Sequence, residues 1–473
     1  MPELILAIDV GTTSTRAAVF SPVGAILGLS SAPLTSTSPA PGRVEQDAAK
    51  VWRATRRVMA GALRAAGRDG GDIAAIGLTT QRASAVIWDR KTGQPLTNMV
   101  VWSDLRGAGR AADLNAAGFM LAPQQSATKL DLMFAGLDEP TDRLAWGNID
   151  SYILYRLTGG GTHATDASQA WPSGYLSFPD LGWNSRLIDH QGLDPAVFPR
   201  LGPTWGVLGE SSSAILGAAR PISANVADQQ SALIAHGDRP GTAKFTFGTS
   251  ATFDLSTGGD FTFPGPSVPP LLVSSVGGDT RWCVEGMVLS AGSAVDWLRS
   301  RFALGDHAAF TTLARSVANA NGTAFLPALQ GLGAPHGEPG RRGALTGLTA
   351  SVERGHIARA GLEGLAFRAR EVLDHVYTLV DAPEPEALGV DGGLTRSSLF
   401  LQILADLTGR VVRRHATPEA TLLGAAICAG RGAELLTEAD LAAWRRFDPT
   451  VEPSISSDES DTRIAAWRAA VHP

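Results

Sequence analysis

Over 473 residues the chain is 44% hydrophobic and 18% charged, a composition that excludes a disordered protein and suits a globular enzyme. Its length exceeds what one hydrophobic core serves, so two domains of roughly 230 residues each are expected, with a cleft between them. A formal charge of −6 and 40 basic residues scattered without a run argue against nucleic acid as a partner.

The chain starts MPELILAIDVGTTS, with no basic segment ahead of its apolar run, which Asp9 breaks before it could serve as a signal core. No stretch approaches the length of a membrane span, so a cytoplasmic protein is expected. Cys283 and Cys428 stand far apart with no CxxC or Cys/His spacing, which predicts two buried thiols and neither a disulfide framework nor a zinc site.

Leu4 to Val10 reads as a buried strand, Gly11 to Thr15 as a tight polar turn, and residues 16–20 as a strand returning from it. A helix is predicted over 47–66, with Val51, Trp52, Met59 and Leu63 at helical spacing. Strands are predicted over 73–79 and 85–88, the second ending on the turn DRKTGQP. Asp228 precedes the helix-like run QQSALIAHG. In the second half, KFTFGTSATFDL (244–255) is again strand, small polar turn, strand. Gly248-Thr249-Ser250 there echoes Gly11-Thr12-Thr13-Ser14. LGVDGG (388–393) reads as a strand running into a glycine turn. A helix over 397–407 closed by Gly409 follows, then a tightly packed small-residue helix over 418–430. From Ala442 the Pro-, Ser- and Asp-rich tail carries little signal, and a last short helix at 462–470 is expected to dock on the surface. The alternation of strands and helices predicts an α/β layer architecture.

The turns carry the chemistry. A loop of glycine and hydroxyl residues offers backbone N–H groups and hydroxyls to anionic oxygens, and one in each half suggests two related domains gripping a nucleotide. Short glycine motifs also recur by chance, so either hairpin alone says little. Asp9 at the end of its strand is placed to hold a hydrated Mg2+ beside phosphates, or simply to cap its turn. Asp228 is placed to accept the proton of an attacking hydroxyl, or to cap the helix that follows.

In this order, IDVGTTSTRAAVF (8–20), GRVEQDAAKVW (42–52), AAIGLTTQRASAVIWDRKTGQPL (74–96), VVWSDLR (100–106), VADQQSALIAHG (226–237), FGTSATF (247–253), PALQGLGAP (327–335) and GALTGLTASVERGHIARAGLEG (343–364) resemble the FGGY carbohydrate kinases. Within that family they are most similar to the glycerol kinases. The resemblance implies two ribonuclease-H-like, actin-like ATPase domains. Residues 1–236 would hold the substrate and the first phosphate loop, and residues 237–473 ATP and its adenosine. It implies ATP-dependent phosphorylation of a small polyol or sugar hydroxyl, with Mg2+, and a hinge near residues 235–242. Many relatives are dimers or tetramers, so a homodimer or homotetramer is implied.

The resemblance also assigns roles residue by residue. Asp228 is the catalytic base and Arg16 reaches the transferred phosphoryl, with Asp9 on the metal. Gly11, Thr12, Thr13, Ser14, Gly248 and Thr249 grip phosphates; Gly292, Asp296, Gly392, Gly393 and Ser397 fall at adenosine-side positions. Arg82, Trp102, Asp228 and Gln229 surround the substrate. Three positions depart from glycerol kinases: Ala83 stands where a glutamate is expected, Gln124 where a tyrosine is, and Thr252 where a phenylalanine is. Losing a charged hydrogen-bond partner costs about 1.5 to 3 kcal/mol and weakens the hold on glycerol, while the two aromatic-to-smaller changes imply a roomier pocket, so a four- or five-carbon polyol or ketose is expected alongside glycerol. The alternatives are a ketose kinase of the xylulose or ribulose type and a non-catalytic nucleotide-binding protein.

Overall fold

The strand Leu4–Val10 is the spine of the first sheet in the computed structural model, which describes residues 3–471. Met1, Pro2, His472 and Pro473, at the outer ends of the two expected domains, lie outside the described residues. The chain divides into two compact units. The first runs to Ala235 and adds Leu271–Arg281 and Ala420–Arg445; the second comprises His236–Pro270, Trp282–Glu419 and the chain from Arg446 onward.

In the first unit, Leu4–Val10 pairs antiparallel with Ser14–Phe20, which pairs antiparallel with Ile26–Pro33. On its other side it runs parallel to Ile73–Thr80, and that strand runs parallel to Pro221–Ala227. Trp205–Glu210 closes the far edge, antiparallel to Pro221–Ala227. All but the first residue of Leu4–Val10 are buried, as its unbroken apolar run requires of a strand covered on both faces. Helix Ala48–Ala66 covers one side of the sheet, capped by Asp47 at its start and by Gly67 in the left-handed conformation at its end. Helix Ala420–Gly432 packs against Leu4–Val10, Ile73–Thr80 and Pro221–Ala227. Its approach is close: a Cβ on Gly77 would lie 2.3 Å from the Ala425 carbonyl oxygen. The small-residue run LLGAAICAG is what permits that contact.

The second unit repeats the pattern. Ala243–Phe247 pairs antiparallel with Ala251–Gly258, which pairs antiparallel with Asp279–Val288. On the other side Ala243–Phe247 runs parallel to Leu388–Asp391, and that strand runs parallel to Val412–Arg414. This ribonuclease-H-like strand order thus occurs twice. The 26-residue helix Arg354–Leu379 crosses a core that includes Phe245, Phe253, Leu298, Phe310 and Phe400.

The tail corrects one expectation. The last helix is longer than expected, Ser457–Val471, and it docks through one stripe: Ile464, Trp467 and Val471 are buried in the second unit's core while its outer face is exposed. Trp467 donates its indole N–H to the Phe325 carbonyl at 3.1 Å, and Arg463 reaches Glu363 at 2.9 Å. The polar run SDESD at its start hides the apolar stripe that follows. The Pro-rich segment before it is also ordered, with Val451 exchanging two backbone hydrogen bonds with Val412. Both cysteines are buried thiols.

Candidate active site

Asp9 and Arg16 face each other across the first hairpin, because the antiparallel register pairs them directly. Asp9 is 4% exposed, and its Oδ2 lies 3.8 Å from Arg16 Nε. The turn between them closes on itself: the Gly11 N–H donates to the Ser14 carbonyl at 3.0 Å, and the Thr15 hydroxyl donates to the Asp9 carbonyl at 3.1 Å. Three outside side chains fix the turn. Gln46 Nε2 donates to the Thr12 carbonyl at 2.6 Å, Gln81 Nε2 to the Gly11 carbonyl at 3.2 Å, and Trp102 Nε1 to the Thr12 hydroxyl at 3.0 Å. The Thr12 hydroxyl in turn donates to Gln81 Oε1 at 3.0 Å. The Thr12 side chain is therefore engaged in building the turn, and the exposed Thr13 is left with its hydroxyl at the tip. The sequence reasoning gave neither Gln46 nor Gln81 a part in this turn. Their only signal was position inside the segments GRVEQDAAKVW and GLTTQR.

A second group gathers at the carboxyl ends of two neighbouring parallel strands. Arg82 follows Ile73–Thr80 and Asp228 follows Pro221–Ala227, and Arg82 Nε lies 3.7 Å from Asp228 Oδ1. Asp228 is the first residue of helix Asp228–His236 and accepts the N–H of Gln229 at 2.9 Å. Its side chain keeps 25% of its surface exposed, as a group that must meet a ligand requires. Ala83 is only 5% exposed and sits at φ +49°, a left-handed conformation unusual for a residue with a Cβ. Trp102 is 37% exposed, tethered through its indole to the phosphate-type turn and through its backbone N–H to the Ser84 hydroxyl at 3.2 Å.

The buried Lys129 joins Trp102 to Gln124. Its Nζ donates to the carbonyls of Val101 at 3.2 Å, Trp102 at 3.3 Å and Gln124 at 3.0 Å. Burial pushes this ammonium down to about 8, partly offset by Asp104. The sequence reasoning missed this link. The Gln124 side chain itself is exposed.

The second unit brings its own residues together. The Gly248 carbonyl accepts the N–H of Gly292 at 2.9 Å, and the Thr249 carbonyl accepts those of Ala291 at 3.0 Å and Ser293 at 3.2 Å. A Cβ on Gly292 would lie 2.6 Å from the Gly248 oxygen, so this approach needs glycine. Gly392 lies against Phe247, one residue before Gly248. It sits at φ +95°, and a Cβ there would fall 2.4 Å from the Phe247 oxygen. Gly393 borders open space. Thr252 is buried in its strand, opposite Thr246. Two residues have side chains engaged locally. Asp296 pairs with Arg299 at 2.7 Å and His307 at 3.3 Å, and Ser397 caps helix Ser398–Thr408 by accepting the Phe400 N–H at 3.3 Å.

These residues fit a magnesium nucleotide in their chemistry. Asp9 offers the hard carboxylate oxygen that Mg2+ prefers. Among the described residues no cluster of three His, Cys, Asp or Glu could hold a metal, so an ion there would complete its shell with water and phosphate oxygens. Gly393, side-chain-free and bordering open space, leaves backbone accessible to a planar base. Among the described residues no helix is long and apolar enough to cross a membrane.

Comparison with known proteins gives the same picture. The model of the FGGY carbohydrate kinase N-terminal domain matches residues 4–235, and that of the C-terminal domain matches residues 243–433. A glycerol kinase of Rippkaea orientalis is 35% identical over 99% of this chain and 97% of its own length. One of Trichlorobacter lovleyi is 39% identical over 90% of each. The crystal structure of Plasmodium falciparum glycerol kinase with ADP superposes with a TM-score of 0.89 at 26% identity, covering 99% of this chain and 97% of that one. The chain belongs to the FGGY family of carbohydrate kinases.

Proposed function

We propose that this ATP-dependent carbohydrate kinase phosphorylates a hydroxyl of a small polyol, glycerol or a four- to five-carbon relative. The observation that carries the reading is the Arg82–Asp228 pair at 3.7 Å, held at adjacent strand ends with the aspartate partly exposed. Phosphoryl transfer to an alcohol asks a protein chiefly to position the hydroxyl in line and to accept its proton late. Asp228 is the proton acceptor, Arg82 and Gln229 orient substrate hydroxyls, and the Trp102 ring backs the carbon chain. Arg16 is assigned to the transferred phosphoryl.

Gly11, Thr13 and Ser14, with the Thr12 backbone, would hold phosphates, as would Gly248 and Thr249. Gly292, Gly392 and Gly393 would lie along the adenosine, with Asp296 and Ser397 near them. Asp9 would hold Mg2+, which when bound supplies positive charge at the phosphates. On this reading residues 1–236, joined by the returning segments 271–281 and 420–445, form the substrate domain and the rest of 237–473 the nucleotide domain, in a cytoplasmic homodimer or homotetramer.

Ala83, Gln124 and Thr252 set the substrate preference. A buried methyl at Ala83 offers no carboxylate to a hydroxyl, which weakens the hold on glycerol, and the smaller side chains at Gln124 and Thr252 leave room for longer polyols. The test is a kinetic panel of glycerol, erythritol, ribulose and xylulose with purified protein and its Asp228→Asn variant. Loss of a general base should lower kcat about 10²- to 10⁴-fold with the fold intact. Near-normal turnover in Asp228→Asn would remove the proposed base, and glycerol winning the panel in kcat/KM would remove the altered preference.

A further inference from the structure

Behind the Arg82–Asp228 pair lies a buried glutamine that neither substrate nor nucleotide need touch. Gln169 is 0% exposed, in the short helix Ala167–Ala170. Its Nε2 lies 2.9 Å from Thr80 Oγ1, 3.2 Å from the Thr80 carbonyl and 3.3 Å from the Val226 carbonyl. Thr80 ends the strand that leads into Arg82, and Val226 is two residues before Asp228. In the parallel register Ala227 stands beside Thr80, so one amide group joins the two strands where their ladder ends. The Thr80 hydroxyl passes the contact on by donating to the Gln81 carbonyl at 3.1 Å.

The residue next to it acts on the same strand end. Ser168 Oγ accepts the N–H of Ala227 at 2.9 Å and donates to Asp166 Oδ1 at 2.9 Å. Gln169 is itself held rigidly: its N–H donates to Asp166 Oδ1 at 3.0 Å, and its carbonyl accepts from Asn148 Nδ2 at 3.1 Å. Side-chain bonds therefore reach residues 226 and 227 on one strand and residue 80 on the other, each within two positions of the arginine or aspartate.

We propose that Gln169 is a positioning residue for phosphoryl transfer, fixing the spacing of Arg82 and Asp228 by tying together the carboxyl ends of the two strands that carry them. The inference rests on the catalytic reading of Asp228 given above. A displacement of about 1 Å in such a group lowers turnover about 100-fold without weakening a ligand held elsewhere. Removing the amide also leaves two buried strand carbonyls short of a donor.

Three variants of the full-length enzyme test this together: Gln169→Leu, Gln169→Glu and Asp228→Asn. Gln169→Leu deletes the donor and is expected to lower kcat about 100-fold, with KM for ATP within about threefold of wild type. Gln169→Glu keeps the shape but presents a carboxyl to the carbonyls. Burial raises the pKa of such a group, and only its protonated form can donate. Its kcat relative to wild type is therefore expected to rise at least about tenfold between pH 8.5 and pH 6 under conditions where melting curves show the variant folded at both, whereas a purely structural role would move kcat only with loss of fold. Should Gln169→Leu fail to fold, the pH response of Gln169→Glu carries the test.

Wild-type kcat in the Gln169 variants, or losses of kcat, ATP affinity and melting temperature in proportion, would overturn the inference. An inactive Asp228→Asn beside fully active Gln169 variants would sink this inference alone. A fully active Asp228→Asn would sink the functional reading beneath it.

Discussion

The first unit buries Asp150 and Asp166 differently from its own arginine-paired Asp9, Asp89 and Asp104, and the second unit supplies the sharpest contrast to that pair. In the second, Asp254, Asp391 and Glu371 each have a basic side chain beside them. Lys244 Nζ lies 2.6 Å from Asp254, His236 Nε2 lies 2.8 Å from Asp391, and Glu371 meets Arg368, Arg468 and His336. In the first, Asp150 and Asp166 are fully buried with no cation at ion-pair distance among the described residues, and only hydroxyls and amides serve them. Asp150 accepts from Thr165 and Asn225 at 2.7 Å each. Asp166 accepts from Ser168, Gln169 and Thr204.

The ionisation equilibria follow. Burial raises Asp150 to about 6 against the hydrogen bonds of Asn225 and Thr165, and raises Asp166 to about 7 against those of Ser168 and Thr204. Burial also pushes Glu371 up, but His336, Arg368 and Arg468 outweigh it and hold the group at about 2. Hydrogen bonds from neutral donors do not offset desolvation here, whereas full charges do.

The largest way to break this contrast is to strip a cation from the second unit. Burial pushes Lys244 down, yet Asp254, Asp391 and Glu285 hold its pKa above the ordinary lysine value. Lys244→Met would leave Asp254 buried with its charge uncompensated, at a cost of about 3 to 5 kcal/mol. In a unit of this size that is a fall of about 10 °C in melting temperature, read by calorimetry. A variant within a degree of wild type would show that the ion pair is not what makes this burial tolerable.

The pH response separates the units next. A carboxyl whose folded pKa is raised contributes its full stability below the ordinary carboxylate value, and that stability is lost as pH rises through the folded pKa. Asp150 and Asp166 therefore predict a first unit that weakens from about pH 4 to about pH 7. Glu371 has the opposite sign: its stabilisation is full above the ordinary glutamate value and is lost as pH falls toward about 2. Hydrogen exchange followed by mass spectrometry, corrected for intrinsic rates, should show the first unit more protected at pH 5 than at pH 8. Among the described residues Asp150 Oδ1 has no hydrogen-bond partner, so Asp150→Asn is sterically mild. It should recover up to about 3 kcal/mol at pH 8 and flatten the slope. An unchanged slope would count against Asp150 as its source.

The smallest effect sharpens the contrast at the site itself. Thr12→Val keeps the shape of the turn but removes the hydroxyl shared by Gln81 and Trp102. Loss of these neutral bonds should cost about 1 to 2 kcal/mol. The difference from wild type should be the same at low and high salt, since no ion pair is involved. A strongly salt-dependent difference in denaturant melts would contradict a neutral network.

Much of the fold was legible because its signals are local. Glycine and hydroxyl residues between two apolar runs marked both hairpins, and the small residues of LLGAAICAG marked a helix that must pack closely. What stayed hidden depends on partners far along the chain. Gln81 touches the turn 70 residues before it, and Gln169 reaches Thr80 across 89 positions. Nothing near either glutamine says so. Thr12, Asp296 and Ser397 were legible as polar residues near a nucleotide motif. Their side chains are instead taken up by a turn, an ion pair and a helix cap, competitors that only coordinates reveal. Ala83 reads as a missing carboxylate in the sequence, while its left-handed backbone could not have been read there.

Helix Ala420–Gly432 belongs to the first unit although nearly the whole second unit precedes it in the chain. During synthesis, then, strands made early wait on the order of ten seconds or more for the segment that shields them. Residues such as Ile5, which lies against Gly430, are in the meantime open to chaperones or to other nascent copies. A single cut at the midpoint would not yield two self-sufficient halves, because the earlier fragment would lack its lid of Leu422, Leu423 and Ile427.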